Sequence, residues 1–466
     1  MAKTGAVIEN VLRKITPSDS VRKKTGRALS KIENATGKAV KEEGLTYTLA
    51  GSYLRDTWLK DKKEFDIFIL FPESVSRENL EKRGMSIGKS IVKTLNGSYE
   101  IAYAEHPYIR ALVDGYAVDF VPCYDIKDAS KIKSAVDRTP HHNKFIVKSL
   151  TPALSSEVRL LKQFCKSIGV YGSDLRVEGF SGYLSELLII RYRSFLNTVS
   201  EASKWEAGKV FIDLEKHHKE VPDTGKRYPN QPLIVIDPVD RNRNVAAALS
   251  PANFEKFKES AKSFLKKPDE KYFRLGKAKV NVKGLSRDAK KRNTRLLSVM
   301  FPRPDAVDDV LYPQMRKSAK RVKGILEDAD FRIIGHDVWC DSKNCLLFLE
   351  LEVWSLPKIR KVIGPPTFSK KHSEEFNRKY KGQGRIWVEG SNLVTEVKRK
   401  YTDAGTLLEE ELSASEKKLR DSGIASHIAK YMKKKEILTD SAVIQKAESN
   451  NELAFFLSDY FKNKVL

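Results

Sequence analysis

Residues 50–71 read AGSYLRDTWLKDKKEFDIFILF, and three features of this stretch decide how the chain is organised. The run from Glu64 to Phe71 has the composition of a strand, with two carboxylates, Glu64 and Asp66, at i and i+2. Successive side chains of a strand alternate between faces, so Glu64 and Asp66 share one. Two carboxylates held side by side repel, and burial penalises both charged forms. A divalent cation with a preference for hard oxygen ligands, such as Mg²⁺, removes that conflict. Upstream, Gly51-Ser52 is a turn, with Ser52 placed as the N-cap of a helical stretch Tyr53–Leu59. A helix opening of this kind accepts phosphate. Phosphate donors beside a metal-binding strand point to phosphoryl or nucleotidyl transfer.

Taken alone, Glu-x-Asp on a strand is an ordinary solvated face. The downstream sequence supplies a third acid. Tyr99–His106 and Tyr108–Val113 read as short strands, and Asp114-Gly115 is a hairpin turn leading into Ala117–Pro122. In that last strand Asp119 alternates with Val118 and Phe120 and faces the opposite way. A hairpin sets this strand beside the one carrying Glu64 and Asp66.

The chain has 466 residues and a net charge of +24. That length predicts about three domains. The charge predicts a polyanionic partner, most simply nucleic acid. No stretch approaches the ~18 uninterrupted apolar residues of a membrane span. The N-terminal twenty residues have no apolar signal core, and a cytoplasmic protein is expected. Cys123, Cys165, Cys340 and Cys345 are too scattered for a disulfide framework, and the absence of a CxxC pair argues against zinc at Cys340, Cys345 and His336.

Residues 6–15, 21–43 and 76–95 have helical, amphipathic spacing. His141 and His142 are neighbours, so on a helix they diverge by about 100° and form no ligand pair by themselves. A helix over Ser155–Ile168 closes at Gly169, and residues 180–196 read as one strongly apolar helix. Leu233–Ile236 is a short strand, followed by a turn and a helix expected from about Val245, with Arg241 and Arg243 at its mouth. From about 251 Lys and Arg become dense, with Tyr, Phe and Trp interleaved, a combination suited to phosphate contacts and base stacking. Strands at Phe331–Ile334, Cys345–Trp354 and Arg385–Val388, a helix at Met315–Asp328 and helices over 404–440 and 444–462 complete the reading.

These blocks together resemble the archaeal-type (class I) CCA-adding enzymes, the tRNA nucleotidyltransferases. The resemblance runs from GSYLRDTWL and EFDIFILFP through YAVDFVPCY, SAVDRTPHH, LLKQFCKSIGVYGSD and DPVDRNRNVAAALS to FLELEVWSLPKIRKVIGPP, roughly residues 1–400. It implies an α+β multidomain protein: a nucleotidyltransferase palm built on a small mixed β-sheet with helices (1–140), a helical neck with a nucleotide-base pocket (141–260), an α/β RNA-binding body (261–370) and a tail with C-terminal helices (371–466). It implies Mg²⁺ held by Glu64, Asp66 and Asp119. It implies CTP and ATP as substrates, the acceptor half of tRNA as partner, and leaves a homodimer open. Carried over by motif, Ser52 and Arg55 contact the triphosphate, His142, Lys162 and Tyr171 contact the nucleotide, and Arg243 reads the base with Asp240 in the same loop. Leu54 and His141 depart from the family pattern.

The implied chemistry is template-independent addition or repair of the tRNA 3′-terminal CCA with release of pyrophosphate, by two metal ions about 3.5–4 Å apart. Cytosine N4 and adenine N6 are amino donors, whereas uracil O4 and guanine O6 are acceptors. A pocket built to accept those donors excludes UTP and GTP. Two other readings stand beside this one: a poly(A)-type or oligoadenylate-type transferase on another RNA, and a non-catalytic RNA-binding protein with a degenerate palm, against which the presence of all three acids argues.

Overall fold

The computed structural model describes residues 2–103, 105–220, 223–275 and 280–462. It divides into two compact units, Met1–Gly276 and Lys277–Leu466.

The first unit opens with two amphipathic helices, α1 (Ala2–Ile15) and α2 (Asp19–Glu42), the second capped by the Ser18 side chain. Then come β1 (Thr46–Ala50), the single turn α3 (Gly51–Leu54), β2 (Glu64–Phe71), α4 (Arg77–Thr94), β3 (Ser98–Tyr103), β4 (Pro107–Val113) and β5 (Tyr116–Tyr124). The five strands form one sheet in the order β1-β2-β5-β4-β3. β2 and β5 are parallel and the other pairs antiparallel. Alternation along β2 divides its residues between two faces. Phe65, Ile67, Ile69 and Phe71 pack under α2 and α4 with Leu29, Ile32, Ile87 and Ile91. Phe68 lies on the other face in a smaller cluster with Ala50, Tyr108, Val121 and Cys123. Glu64 and Asp66 share that second face.

α3 is shorter than the sequence predicts and starts two residues earlier. Ala50 is its extended N-cap residue, so Ser52 lies inside the turn rather than at the cap. The turn ends because Asp56 takes the left-handed conformation (φ 49°), and Trp58 and Leu59 continue as a buried loop instead of a helix.

The unit continues with α5 (Arg138–Ser149), α6 (Pro152–Ser167), α7 (Gly182–Tyr192), α8 (Phe195–Ala202), β6 (Val210–Asp213), α9 (Thr224–Arg227), β7 (Leu233–Asp237), β8 (Asp240–Asn244) and α10 (Pro251–Lys266). Its core is dominated by aromatic rings, among them Phe164, Phe180, Phe195, Phe254, Phe257 and Phe264. The apolar stretch 180–196 is two helices, not one, broken where Arg193 adopts φ 69° and Ser194 caps α8. Residues 240–244 are also not the turn the sequence suggests. They form β8, antiparallel to β7, and the expected helix begins only at Pro251. Asn244 fixes this hairpin, because its Oδ1 accepts from the Val235 and Ala246 amides.

The second unit comprises α11 (Val282–Arg292), β9 (Arg295–Pro302), α12 (Asp308–Asp328), β10 (Arg332–Cys340), β11 (Asn344–Val353), β12 (Ile359–Pro366), α13 (Lys370–Tyr380), β13 (Ile386–Glu389) and β14 (Asn392–Lys398). The short helices α14 (Ala404–Leu412), α15 (Glu416–Asp421) and α16 (Ser426–Ala429) precede β15 (Glu436–Thr439), α17 (Asp440–Ser449) and α18 (Asn451–Lys462). One sheet runs β10-β11-β9-β15 and a smaller one β12-β14-β13. β15 thus returns to the sheet that β9 begins, and the segment after 371 is not separate from the one before it. Cys340 and Cys345 are cross-strand partners at the end of the β10–β11 hairpin, and all four cysteines are free and buried.

Candidate active site

The parallel pairing of β2 with β5 sets Asp66 directly opposite Asp119. Glu64 lies two residues along on the same face. The basic side chains around this trio come from neighbouring positions. Lys62 Nζ lies 2.9 Å from Glu64, and Arg110, the register partner of Asp119 on β4, donates from Nε (3.0 Å) and Nη2 (3.2 Å) to its carboxylate. Burial raises the pKa of Asp66, which Lys62 counters and the like charges of Asp119 and Glu64 reinforce. Gly51 comes next to it with φ 75°, and a Cβ there would stand 1.8 Å from Asp66 Oδ2. Only glycine therefore leaves the space in which that carboxylate sits.

Three carboxylates on one face, with a glycine cleared from the oxygen of the central one, form the hard-oxygen donor set that a divalent cation of the Mg²⁺ kind requires. Among the described residues, no three acidic, His or Cys side chains converge closely enough to hold an ion as they stand. The outer two acids are turned to Lys62 and Arg110, and side-chain rotation is needed to gather them around Asp66.

The helical part of the unit supplies cations to the same side. Lys162 on α6 is buried, and its Nζ donates to Thr57 Oγ1 (2.9 Å) and Glu186 Oε1 (3.2 Å). Arg55 pairs with the other oxygen of Glu186 and donates to Asn143 Oδ1 from Nε (2.8 Å) and Nη2 (2.6 Å). Burial pushes Lys162 down to about 8 despite Glu186. Glu186 is also buried, but the charges of Lys162 and Arg55 and the Thr57 hydroxyl outweigh that and hold it at about 2. One carboxylate thus balances two cations, and a net positive charge remains beside the acid trio. Ser52, Glu64, Lys162 and Tyr171 line one cavity of about 550 Å³. Tyr171 packs close to Gly182, where a Cβ would stand 3.2 Å from its hydroxyl.

A second cavity, of about 690 Å³, is lined by Tyr183, Arg227, Asn242 and Arg243 among others. Arg243 reaches it from β8 while its Nη1 donates to Asp237 (2.8 Å). His142 is the member of the histidine pair that joins this cluster. Its ring stacks on Tyr183 at 4.1 Å, and its Nε2 lies 2.8 Å from Asp237 Oδ2. Burial lowers the His142 pKa, so the neutral ring donates that hydrogen. Arg55 lies 5.8 Å over the Tyr183 ring. Asp240 is the register partner of Asp237 on β8, and Arg138 Nε donates to its carboxylate at 3.1 Å.

The structure therefore gathers Ser52, Arg55, Glu64, Asp66, Asp119, Lys162 and Tyr171 on one side, places His142 and Arg243 in an adjoining cluster, and sets Asp240 across the β7–β8 hairpin from Asp237, paired with Arg138. Sequence reading passes over Glu186, Asp237, Tyr183 and Arg110. Glu186 has a signal, as the one charge in the run LSELLII, and Asp237 has another, as the acid that ends the buried strand LIVID.

This geometry, an acid trio on an open sheet face with a cationic helical wall, is that of a nucleotidyltransferase. Family models agree: residues 29–142 match the nucleotidyltransferase domain, 156–274 the second domain of tRNA nucleotidyltransferase, and 292–440 the C-terminal domain of the CCA-adding enzyme. Enzymes of the nucleotidyltransferase family use divalent metal ions. The CCA-adding enzyme of Methanocaldococcus jannaschii is 41% identical over 401 residues, 85% of this chain and 88% of that protein. That of Methanothermobacter thermautotrophicus is 40% identical, covering 87% of each. That of Archaeoglobus fulgidus is 36% identical, covering 83% of this chain and 86% of its own. Among solved structures, the Cid1 poly(U) polymerase aligns over 58% of this chain and 98% of its own, with a TM-score of 0.46 and 12% identity. The chain belongs to the CCA-adding enzyme family. No helix among the described residues is long and apolar enough to cross a membrane.

Proposed function

We propose that this chain adds or repairs the 3′-terminal CCA of tRNA, transferring CMP, CMP and AMP from CTP and ATP and releasing pyrophosphate, with Mg²⁺ as the metal. The observation that carries the reading is the in-register pair Asp66 and Asp119 facing the Lys162–Glu186–Arg55 cluster, in a chain 41% identical to a CCA-adding enzyme.

Glu64, Asp66 and Asp119 would hold the metal, which supplies activation of the tRNA 3′-hydroxyl and charge neutralisation at the triphosphate. The chain's own residues do the positioning. Lys162 and Arg55 present positive charge to the phosphates from a wall already rigid through Glu186, so little reorganisation accompanies charge development. Ser52, in the α3 turn, offers a hydroxyl beside them. Tyr171 closes the same cavity. His142 and Arg243 face the base, and the Arg243 guanidinium supplies donors to cytosine O2 or N3, or to adenine N1. The buried setting penalises a base that leaves polar groups unpaired. The basic second unit grips the acceptor half of tRNA, an A-form helix, through phosphates, 2′-hydroxyls and shape, so one protein serves every tRNA.

The test is incubation with Mg²⁺ and a tRNA transcript lacking its last three nucleotides, with CTP, ATP, UTP or GTP singly and in pairs, read at single-nucleotide resolution. Two cytidines from CTP alone and one adenosine once ATP is added are expected. Long A tails would replace the reading with a poly(A)-type polymerase, and no addition with any nucleotide would replace it with an RNA-binding protein.

A further inference from the structure

Asp237 ends β7 and is fully buried. Its carboxylate nonetheless receives donors from four directions. His142 Nε2 and Arg243 Nη1 each lie 2.8 Å from Oδ2, and the Tyr183 hydroxyl (3.2 Å) and the Val239 amide (3.1 Å) donate to Oδ1. Burial opposes its charge, but these partners hold it ionised with a pKa of about 2. The stacked rings of His142 and Tyr183 brace two of the four donors against each other. Of the donor side chains, Arg243 is the most open to solvent, at 36%, and it forms part of the wall of the larger cavity.

A guanidinium has five N–H donors and no acceptor. Left free to turn, it satisfies any base edge that carries acceptors. Uracil O4 and guanine O6 are such acceptors, and cytosine and adenine have amino donors in their place. Selection against UTP and GTP therefore needs an arginine whose donors are limited in number and fixed in direction. The Asp237 carboxylate imposes both conditions on Nη1.

We propose that Asp237 is a positioning residue for nucleotide choice: by engaging Nη1 of Arg243 it fixes the guanidinium fork and keeps that nitrogen from uracil O4 and guanine O6. The proposal rests on the reading of Arg243 as the base-facing residue. Asp237 acts only through Arg243. Its loss adds unwanted substrates rather than removing the proper ones, which a purely structural role does not do, because a loosened fold lowers turnover with all four nucleotides together.

The experiment compares the full-length wild type with Asp237→Asn, Asp237→Ala and Arg243→Ala on tRNA transcripts lacking CCA, measuring kcat and KM separately for CTP, ATP, UTP and GTP, with a thermal melt of each protein. In both Asp237 variants, kcat/KM for UTP and GTP relative to CTP is expected to rise about tenfold, the scale that one buried polar contact sets in a specificity pocket. An unchanged ratio in those variants while Arg243→Ala alters it overturns the role of Asp237. An unchanged ratio in Arg243→Ala as well overturns the base-facing reading on which the proposal stands. If neither Asp237 variant melts as a folded protein, Asp237→Glu carries the test: it keeps the charge but moves it by one methylene, the same rise is expected, and an unchanged ratio overturns the proposal.

Discussion

The Cβ that Gly51 lacks would fall 1.8 Å from Asp66 Oδ2, so the turn before β2 and the Asp66 carboxylate occupy one shared space. Gly51 also has φ 75°, a conformation that costs an L-residue about 1–2 kcal/mol. Gly51→Ala is expected to displace the carboxylate and lower single-nucleotide addition by about 100-fold, the scale of a misplacement of about 1 Å. Asp66→Asn should abolish addition without loss of melting temperature, since it removes one of three repelling charges. Wild-type turnover in either variant, read by primer extension on tRNA, would refute the assignment of this face.

Lys162 sets an alkaline limit. Burial lowers it to about 8, and Glu186, Arg55 and Lys62 are the charged groups that face it. Above that pH the ammonium loses its proton and its attraction for the triphosphate, so kcat/KM for CTP and ATP should fall through pH 8. Lys162→Arg keeps its charge well beyond that point, and its profile should stay level to at least pH 9. A wild-type profile flat to pH 10 would exclude Lys162 from phosphate contact. The same depressed pKa has a consequence for stability. The folded state binds fewer protons than the unfolded one between about 8 and 10.5, so this group's contribution rises with pH across that window.

On the acid side the slope has the same sign. Glu186 and Asp237 are both lowered to about 2, so between about 4.5 and 2 the unfolded chain binds the extra protons and stability falls as pH falls. Glu186→Gln leaves Lys162 and Arg55 buried without their counter-charge. It should cost about 3–5 kcal/mol at pH 7, the usual result of removing one partner of a buried ion pair. It should also flatten the acid limb, because a group that titrated there is gone. Urea titrations at pH 7, 4 and 3 measure both effects, and a loss below 1 kcal/mol at pH 7 would show that the cluster is not dry.

On the proposed reading, Arg110 competes with the metal for Asp119. Its two hydrogen bonds place a fixed positive charge beside the site, and like charges a few ångströms apart repel strongly in a partly buried setting. Arg110→Gln is expected to tighten binding of a divalent cation by about threefold to tenfold, as followed by electron paramagnetic resonance of added Mn²⁺. Weaker binding would mean that Arg110 serves to orient Asp119 rather than to compete for it.

Much of the palm was legible because its signals are local. The alternation in EFDIFILF assigns faces, the Asp-Gly turn sets the hairpin, and the spacing of acids along and across strands follows. The strand carrying Asp119 lies beside the one carrying Glu64 and Asp66, as expected; the parallel register that sets Asp66 opposite Asp119 comes from the structure alone. What was not legible depends on tertiary packing. The end of α3 is decided by Asp56 taking positive φ, which permits Trp58 and Leu59 to be buried as a loop. β8 is polar throughout, DRNRN, and no periodicity marks it; pairing with the buried β7 and the side chain of Asn244 make it a strand. Glu186 and Asp237 were hidden for a related reason. The partners of Glu186, and His142 and Tyr183 beside Asp237, come from segments far away in sequence, and a buried carboxylate looks like an interruption until the groups around it are seen.

β15 joins β9 from more than 130 residues downstream, and that order has a temporal meaning. During synthesis the residues of β9 leave the ribosome long before the strand that covers their outer edge exists. For that interval the second unit exposes an unpaired, strongly apolar edge, LLSVMF, of the kind that recruits other chains. The first unit has no such delay, since its five-stranded sheet is complete by Tyr124. The first unit can therefore fold while the second still waits for its last strand, and a chaperone's task on this protein falls mainly on the second unit.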